Sequence, residues 1–192
     1  MNKPQRRWIW VLGALVLTAL ILVLVWDWNW FKSLAERRAT SALGREVRIA
    51  NLDLRGWRRP TVIVSGIQIQ NPDGFASEVL FASLDALEIT LDPARLFGGA
   101  LALTQIHLQK PRAELLAPAE GEANWVLPAQ PKASEPSAFE LELGQLSIHD
   151  GEVHVLHPRL KTDFKLQVST QSAESSKEPE LHVTAAGRYA GQ

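Results

Sequence analysis

LDALEITLDPARLFGGALALTQIHLQKP, residues 84–111, decides the architecture. Leu87, Ile89 and Leu91 alternate with Ala86, Glu88 and Thr90, a period of two that turns one side of an extended chain toward apolar neighbours and the other toward water. The run stops at Asp92-Pro93, a capping acid followed by a proline suited to the first turn of a helix. One helical turn over 93–97 is expected, ended by Gly98-Gly99. Leu101 and Leu103, then Ile106 and Leu108, make the next strand, with its phase slipping near Thr104 or Gln105 as a bulge would make it. Pro111 marks an end or an edge.

The same period extends in both directions. Upstream, Val47 and Ile49, Leu52 and Leu54, and Ile67 and Ile69 alternate with polar residues, and Asn71-Pro72-Asp73-Gly74 is a strong turn signal. Downstream, Pro128, Pro131 and Pro136 among Lys132, Ser134 and Glu135 read as a linker. Alternation then resumes with Phe139, Leu141 and Leu143. Leu146 and Ile148 lead into Asp150-Gly151, and Val153 and Val155 leave it, so a hairpin is expected there. Leu160 to Val168 adds a strand, and Leu181, Val183 and Ala185 begin another. The chain stops at Gly191-Gln192 with no closing element, as a piece of a longer protein would.

At the other end, WIWVLGALVLTALILVLVW spans residues 8–26 without a charge. As a helix it is about 28 Å long, matching the hydrocarbon core of a bilayer. Lys3, Arg6 and Arg7 precede it, and Trp8, Trp10, Trp26, Trp28 and Trp30 stand where indoles prefer to lie, at the two interfaces. The bulky residues 26–31 offer no small-residue cleavage site, so the helix is expected to stay as a single-pass anchor with the short N-terminus in the cytoplasm. FKSLAERRATSALGR, residues 31–45, reads as a short amphipathic helix ended by Gly44 and lying on the membrane or on the first strand.

Composition excludes several classes. Twenty basic against 21 acidic residues leave a formal charge of −1, so no general basic field exists to hold nucleic acid. Cysteine is absent, which removes disulfides, redox pairs and thiolate metal sites. His149, Asp150, His154 and His157 invite a metal reading, but His154 and His157 are three apart and point to opposite faces of a regular strand. Glu140 and Glu142 share a face, yet alternate with Phe139, Leu141 and Leu143 as the wet side of a strand does. Neither a nucleophile elbow nor a phosphate loop, dinucleotide fingerprint or zinc-protease motif is present, so catalysis and cofactors are not expected.

One physical problem remains. Many consecutive strands are apolar on one face, and no amphipathic helix beyond the segment near Phe31 is available to cover it. A second sheet would close it into a sandwich or barrel; an external apolar ligand would make it an open groove.

GREVRIANLDL from Gly44, VIVSGIQIQNPDGF from Val62, LFASLDALEITLDPARLFGGALALTQIHLQKPRAELL from Leu80, Asn124-Trp125 and LGQLSIHDGEVHVLHP from Leu143 together resemble the AsmA family of bacterial envelope proteins. That resemblance implies an inner-membrane anchor, a periplasmic body of repeating β-groove units similar to bridge-like lipid-transfer proteins, and a role in carrying phospholipid between membranes and supporting outer-membrane biogenesis. The expected fold is mainly β: an antiparallel, curved and twisted sheet behind one transmembrane helix and a juxtamembrane helix. The expected division is a cytoplasmic tail at 1–7, an anchor at 8–26, a juxtamembrane helix at 27–44, a first β unit at 45–126, a linker at 127–138 and a second β unit at 139–192. The groove set is Ile67, Ile69, Leu87, Ile89, Leu91, Leu101, Leu103, Ile106, Leu108, Leu146, Ile148, Val153 and Val155. Expected partners are the membrane, phospholipid and envelope proteins, but not nucleic acid. The alternative is a scaffolding envelope protein with a closed β domain that binds proteins.

Overall fold

The computed structural model describes residues 28–56, 58–76, 78–98, 100–127, 140–172 and 179–188. The expected tail and anchor, with Trp8, Trp10 and Trp26, lie outside the described residues, as does nearly all of the proline-rich linker. Among the described residues no helix is long and apolar enough to cross a membrane.

A single 3-10 turn, Trp28–Phe31, leads into α1, Lys32–Leu43. Gly44 ends α1 in the left-handed conformation, φ 64°, where its N–H donates to the Thr40 carbonyl and a side chain would be strained. No residue of α1 is buried. The role of the turn and the helix is visible in their hydrogen bonds: Oδ1 of Asn29 in the turn, and Oε1 of Glu36 and Oγ1 of Thr40 in α1, accept the N–H groups of Leu52, Ile49 and Val47. The helix thus runs along the outermost strand and satisfies the donors that an edge would otherwise leave open to another chain.

Among the described residues ten strands form one sheet: β1 (Val47–Arg48), β2 (Asn51–Arg55), β3 (Thr61–Gln70), β4 (Leu80–Leu91), β5 (Ala100–Gln109), β6 (Arg112–Leu116), β7 (Glu140–His149), β8 (Gly151–His157), β9 (Thr162–Ser172) and β10 (Pro179–Arg188). β1 and β2 pair with the same edge of β3, and β5 and β6 pair in succession with β4. β7 runs beside β5 and β8 beside β6, so these pairs are interrupted single rows. The order across the open sheet is β1/β2, β3, β4, β5/β6, β7/β8, β9, β10. The one-turn helix α2, Pro93–Phe97, links β4 to β5, and Oδ1 of Asp92 accepts the Ala94 N–H as a capping acid should.

Two expectations change. The sheet is mixed, because β5 with β7 and β6 with β8 are parallel. Parallel neighbours cannot be joined by a tight turn, which is why the long segment after Leu116 must carry the chain back before β7 begins. That same pairing joins the two stretches on either side of the proline-rich segment into one sheet.

Asp150-Gly151 is also not a hairpin. β7 and β8 run in the same direction, and Asp150, φ 52°, is a kink between them. Asp-Gly suits any place that needs a positive φ, so local sequence does not separate a turn from a kink; the partner strand does. The hairpin lies instead between β8 and β9, over a 3-10 turn, Pro158–Leu160. The phase slip expected near Thr104 is present, since Thr90 pairs with Gln105 and Leu91 with Leu103, leaving Thr104 over.

Few side chains are buried among the described residues, and the apolar ones there are Val47, Ile49, Val64, Ala102 and Ala117. Withdrawing one leucine from water contributes roughly 1.5–3 kcal/mol, and this sheet leaves much of that unrealised on its apolar face.

Candidate functional site

Directly opposed residues on paired strands share a face. One rung runs Leu52, Val64, Leu87, Leu108, Ile148 across five rows; the next runs Leu54, Val62, Ile89, Ile106, Leu146. A third crosses all seven: Val47, Ile69, Ala82, Ala113, Val153, Leu166, Ala185. Leu115, Val155 and Phe164 lie alongside it.

These rungs belong to one face only because the rows are interrupted. Leu108 and Ala113 are five residues apart, as are Ile148 and Val153, and in an unbroken strand an odd separation puts side chains on opposite faces. All four nevertheless line the same hollow. Positive φ values at Lys110 (47°) and Asp150 (52°) mark where the backbone resets the phase, with no residue gained or lost between the facing rows: 83–86, 109–112 and 149–152 lie opposite one another. Gly66 (φ 62°) marks the corresponding place in β3, where Val64 gives way to Ile67; a Cβ there would stand 2.7 Å from that of Ala50. The breaks align across the sheet. The Ala50 N–H reaches the carbonyls of Ser65 and Gly66, Lys110 Nζ lies 3.3 Å from the Asp85 carboxylate, the Lys110 N–H donates to the His149 carbonyl, and the Glu152 N–H donates to that of Pro111. Pro111 does end β5, but it sits in this crease, and β6 resumes the same row.

The hollow at the crease has a volume of about 330 Å³ and apolar walls, including Ile67, Ile69, Leu84, Leu108, Ile148 and Val168. Of the residues expected from sequence, Ile67, Ile69, Leu108, Ile148 and Val153 line it. Leu87, Ile89, Ile106 and Leu146 stand in the adjoining rungs. Leu91 and Leu103 pair with each other, and Leu101 with Leu141, toward α2; Val155 pairs toward the opposite end. Sequence reading missed Val62, Val64, Ala82, Leu84, Ala113, Leu166 and Val168. Ile63 between two valines hid the phase of β3, and alanines at 82 and 113 are too small to count as apolar markers although they floor the hollow.

The face is open toward α2. Leu141 and Leu143 are 58% and 66% exposed, and Leu146 and Leu101 are exposed as well. The opposite face carries the charges: Arg112 pairs with Glu152, and Glu142 with Arg95 at 2.7 Å. There His154 is clamped, Nδ1 at 2.7 Å from Glu114 and Nε2 at 2.9 Å from Asp163, joining β6, β8 and β9. The hydrogen bond to Asp163 raises its pKa above the ordinary histidine value; burial opposes this and Glu114 adds to it. His157 accepts the Leu160 N–H in the β8–β9 turn.

At the end of the sheet away from α2, motif residues far apart in sequence meet. Asn124 is fully buried; its Nδ2 donates to Oδ1 of Asn71 and to the Glu114 carbonyl, and its Oδ1 accepts the Leu116 N–H. Nη2 of Arg45 donates to the carbonyls of Asn124 and Val126, and the guanidinium lies 4.2 Å from the centre of the Phe81 ring. Gly44-Arg45, Asn71-Pro72 and Asn124-Trp125 thus converge on one knot that holds the crossover segment to the sheet.

The model of the AsmA family matches residues 1–190. The chain belongs to the AsmA family. AsmA proteins are proteins of the bacterial envelope, and this AsmA chain presents the mainly β, open-sheet body described above. No curated protein and no solved structure matches it.

Proposed function

We propose that this AsmA chain handles phospholipid along the apolar face of its sheet, conducting it between inner and outer membranes in support of outer-membrane biogenesis. The observation that carries this reading is the continuity of the face. Rungs of apolar side chains run across five to seven rows, and the aligned positive-φ breaks keep them on one side where strict alternation would have turned half of them to water. An acyl chain laid there supplies the apolar contacts that a second protein layer would otherwise supply. In this reading residues 8–26 anchor the protein in the inner membrane, the body lies in the periplasm, envelope proteins are its protein partners, and the chain carries no catalysis, cofactor or nucleic acid.

The test is a photoreactive amino acid at Ile89. Crosslinks to phospholipid are expected, and Ile89→Asp should remove bound lipid while leaving the fold intact, because an aspartate on an open face reaches water when no lipid is present. Glu88→Lys, on the opposite face, should change little. Unfolding of Ile89→Asp together with no lipid crosslink in the unsubstituted chain would overturn the groove and favour the closed scaffold.

A further inference from the structure

The loops at the two ends of the sheet differ in charge. At the α2 end, the links from β2 to β3 and from β4 to β5 bring exposed Arg58, Arg59 and Arg95 beside Asp92, with Glu140 and Glu142 of β7 alongside. Arg95 is paired with Glu142, whereas Arg58 and Arg59 have no ion pair among the described residues. At the other end, loops 71–79 and 117–127 carry Asp73, Glu78, Glu120 and Glu122, against Arg159 and Lys161 in the turn after β8. The basic end is also the end at which the apolar face stands most open, at Leu101, Leu141 and Leu143.

The start of the described chain points the same way. Asn29 is hydrogen-bonded to Leu52 and Asn51 of β2, a strand that runs on toward the basic end, while α1 runs from there to Gly44 at the acidic end. The residues ahead of Trp28 include the uncharged stretch 8–26.

We infer that the α2 end of the sheet docks on a bilayer surface bearing anionic phospholipid, with Arg58 and Arg59 against the headgroup phosphates. Arginine is suited to this, since its planar fork matches phosphate oxygens and its charge is permanent. The attraction is confined to about one Debye length, roughly 8–10 Å in ordinary salt, so it acts on whichever end is held near the membrane and repels the acidic one. Docked this way, the open leucines of β5 and β7 meet the headgroup layer. This surface is separate from acyl-chain binding inside the groove, so a failed crosslink at Ile89 leaves it standing, and its own failure leaves the groove standing.

The chain has no cysteine, so single labels are clean. Ala94→Cys and Ala119→Cys, both exposed and at opposite ends, take an environment-sensitive fluorophore in the full chain reconstituted into phosphatidylcholine vesicles with or without phosphatidylglycerol. Headgroup-borne quencher should darken the label at position 94 in anionic vesicles and leave the one at 119 bright. Added salt should reverse the quenching, and so should Arg58→Glu with Arg59→Glu or, at unchanged fold by circular dichroism, Arg58→Gln with Arg59→Gln. A label at 94 that stays bright in anionic vesicles would overturn the docking. So would equal quenching with and without phosphatidylglycerol, quenching in both double variants as strong as in the unsubstituted chain, or stronger quenching at position 119.

Discussion

His154 shows how one side chain ties rows together. Its imidazole bridges carboxylates from β6 and β9, and those contacts favour the protonated ring. A group with a raised folded pKa contributes stability that is full below its unfolded value, near 6.5, and lost as pH rises through the folded one. The melting temperature should therefore fall as pH rises above about 6.5, and His154→Gln should flatten that part of the profile. Glycine 144 makes a second point. A Cβ there would lie 2.2 Å from the Thr104 carbonyl oxygen, because the bulged residue of β5 presses on β7. Gly144→Ala should cost about 1–3 kcal/mol in urea denaturation. Gly74→Ala meets no atom within 4 Å and only strains its φ of 98°, so it should cost about 1 kcal/mol.

Among strands and helices, the phase breaks and the edge helix have the largest consequences. Gln109 pairs with His149 and Arg112 with Glu152, so deleting Asp150 would leave the β7/β8 row one residue short of the β5/β6 row at the crease, and β8 could keep its pairing with β6 only by stretching or slipping register. Loss of the cooperative thermal transition is expected, whereas Asp150→Gly, which keeps the residue count and accepts a positive φ, should melt within a few degrees of the parent. For the helix, replacing Asn29, Glu36 and Thr40 together by alanine would uncover three edge donors. The expected result is self-association, seen as a concentration-dependent rise in scattering, since unpaired strand edges recruit other strands.

Across the molecule, the sheet has two unlike faces, and the apolar one is covered only in part. If phospholipid occupies it, bound lipid must stabilise the fold by RT ln(1 + [L]/Kd), about 2.7 kcal/mol at a hundredfold excess over Kd. Delipidated protein should therefore melt several degrees lower and recover on adding phospholipid, while a water-soluble polar headgroup analogue without tails should have no effect. An unchanged melting temperature after lipid extraction would count against an acyl-lined face.

Residue order alone was enough for the strands, since alternation at 87–91 or 146–155 reports a local backbone geometry that each segment prefers before it meets any other. It was also enough for the helix stop at Gly44, the Asp92 cap and the Thr104 slip, all of which are decided within a few residues. The family followed from motifs spread along the chain. What lay beyond it was pairing. Whether Asp150-Gly151 turned the chain or only reset its phase depended on β5 and β6 lying alongside, and the parallel pairs depended on where the crossover led. The single apolar face required three aligned phase breaks with positive φ, at Gly66, Lys110 and Asp150, in rows up to 84 residues apart. Such contacts are set by which long-range pairing buries the most apolar surface and satisfies the most backbone groups, a comparison among whole folds that no local window contains.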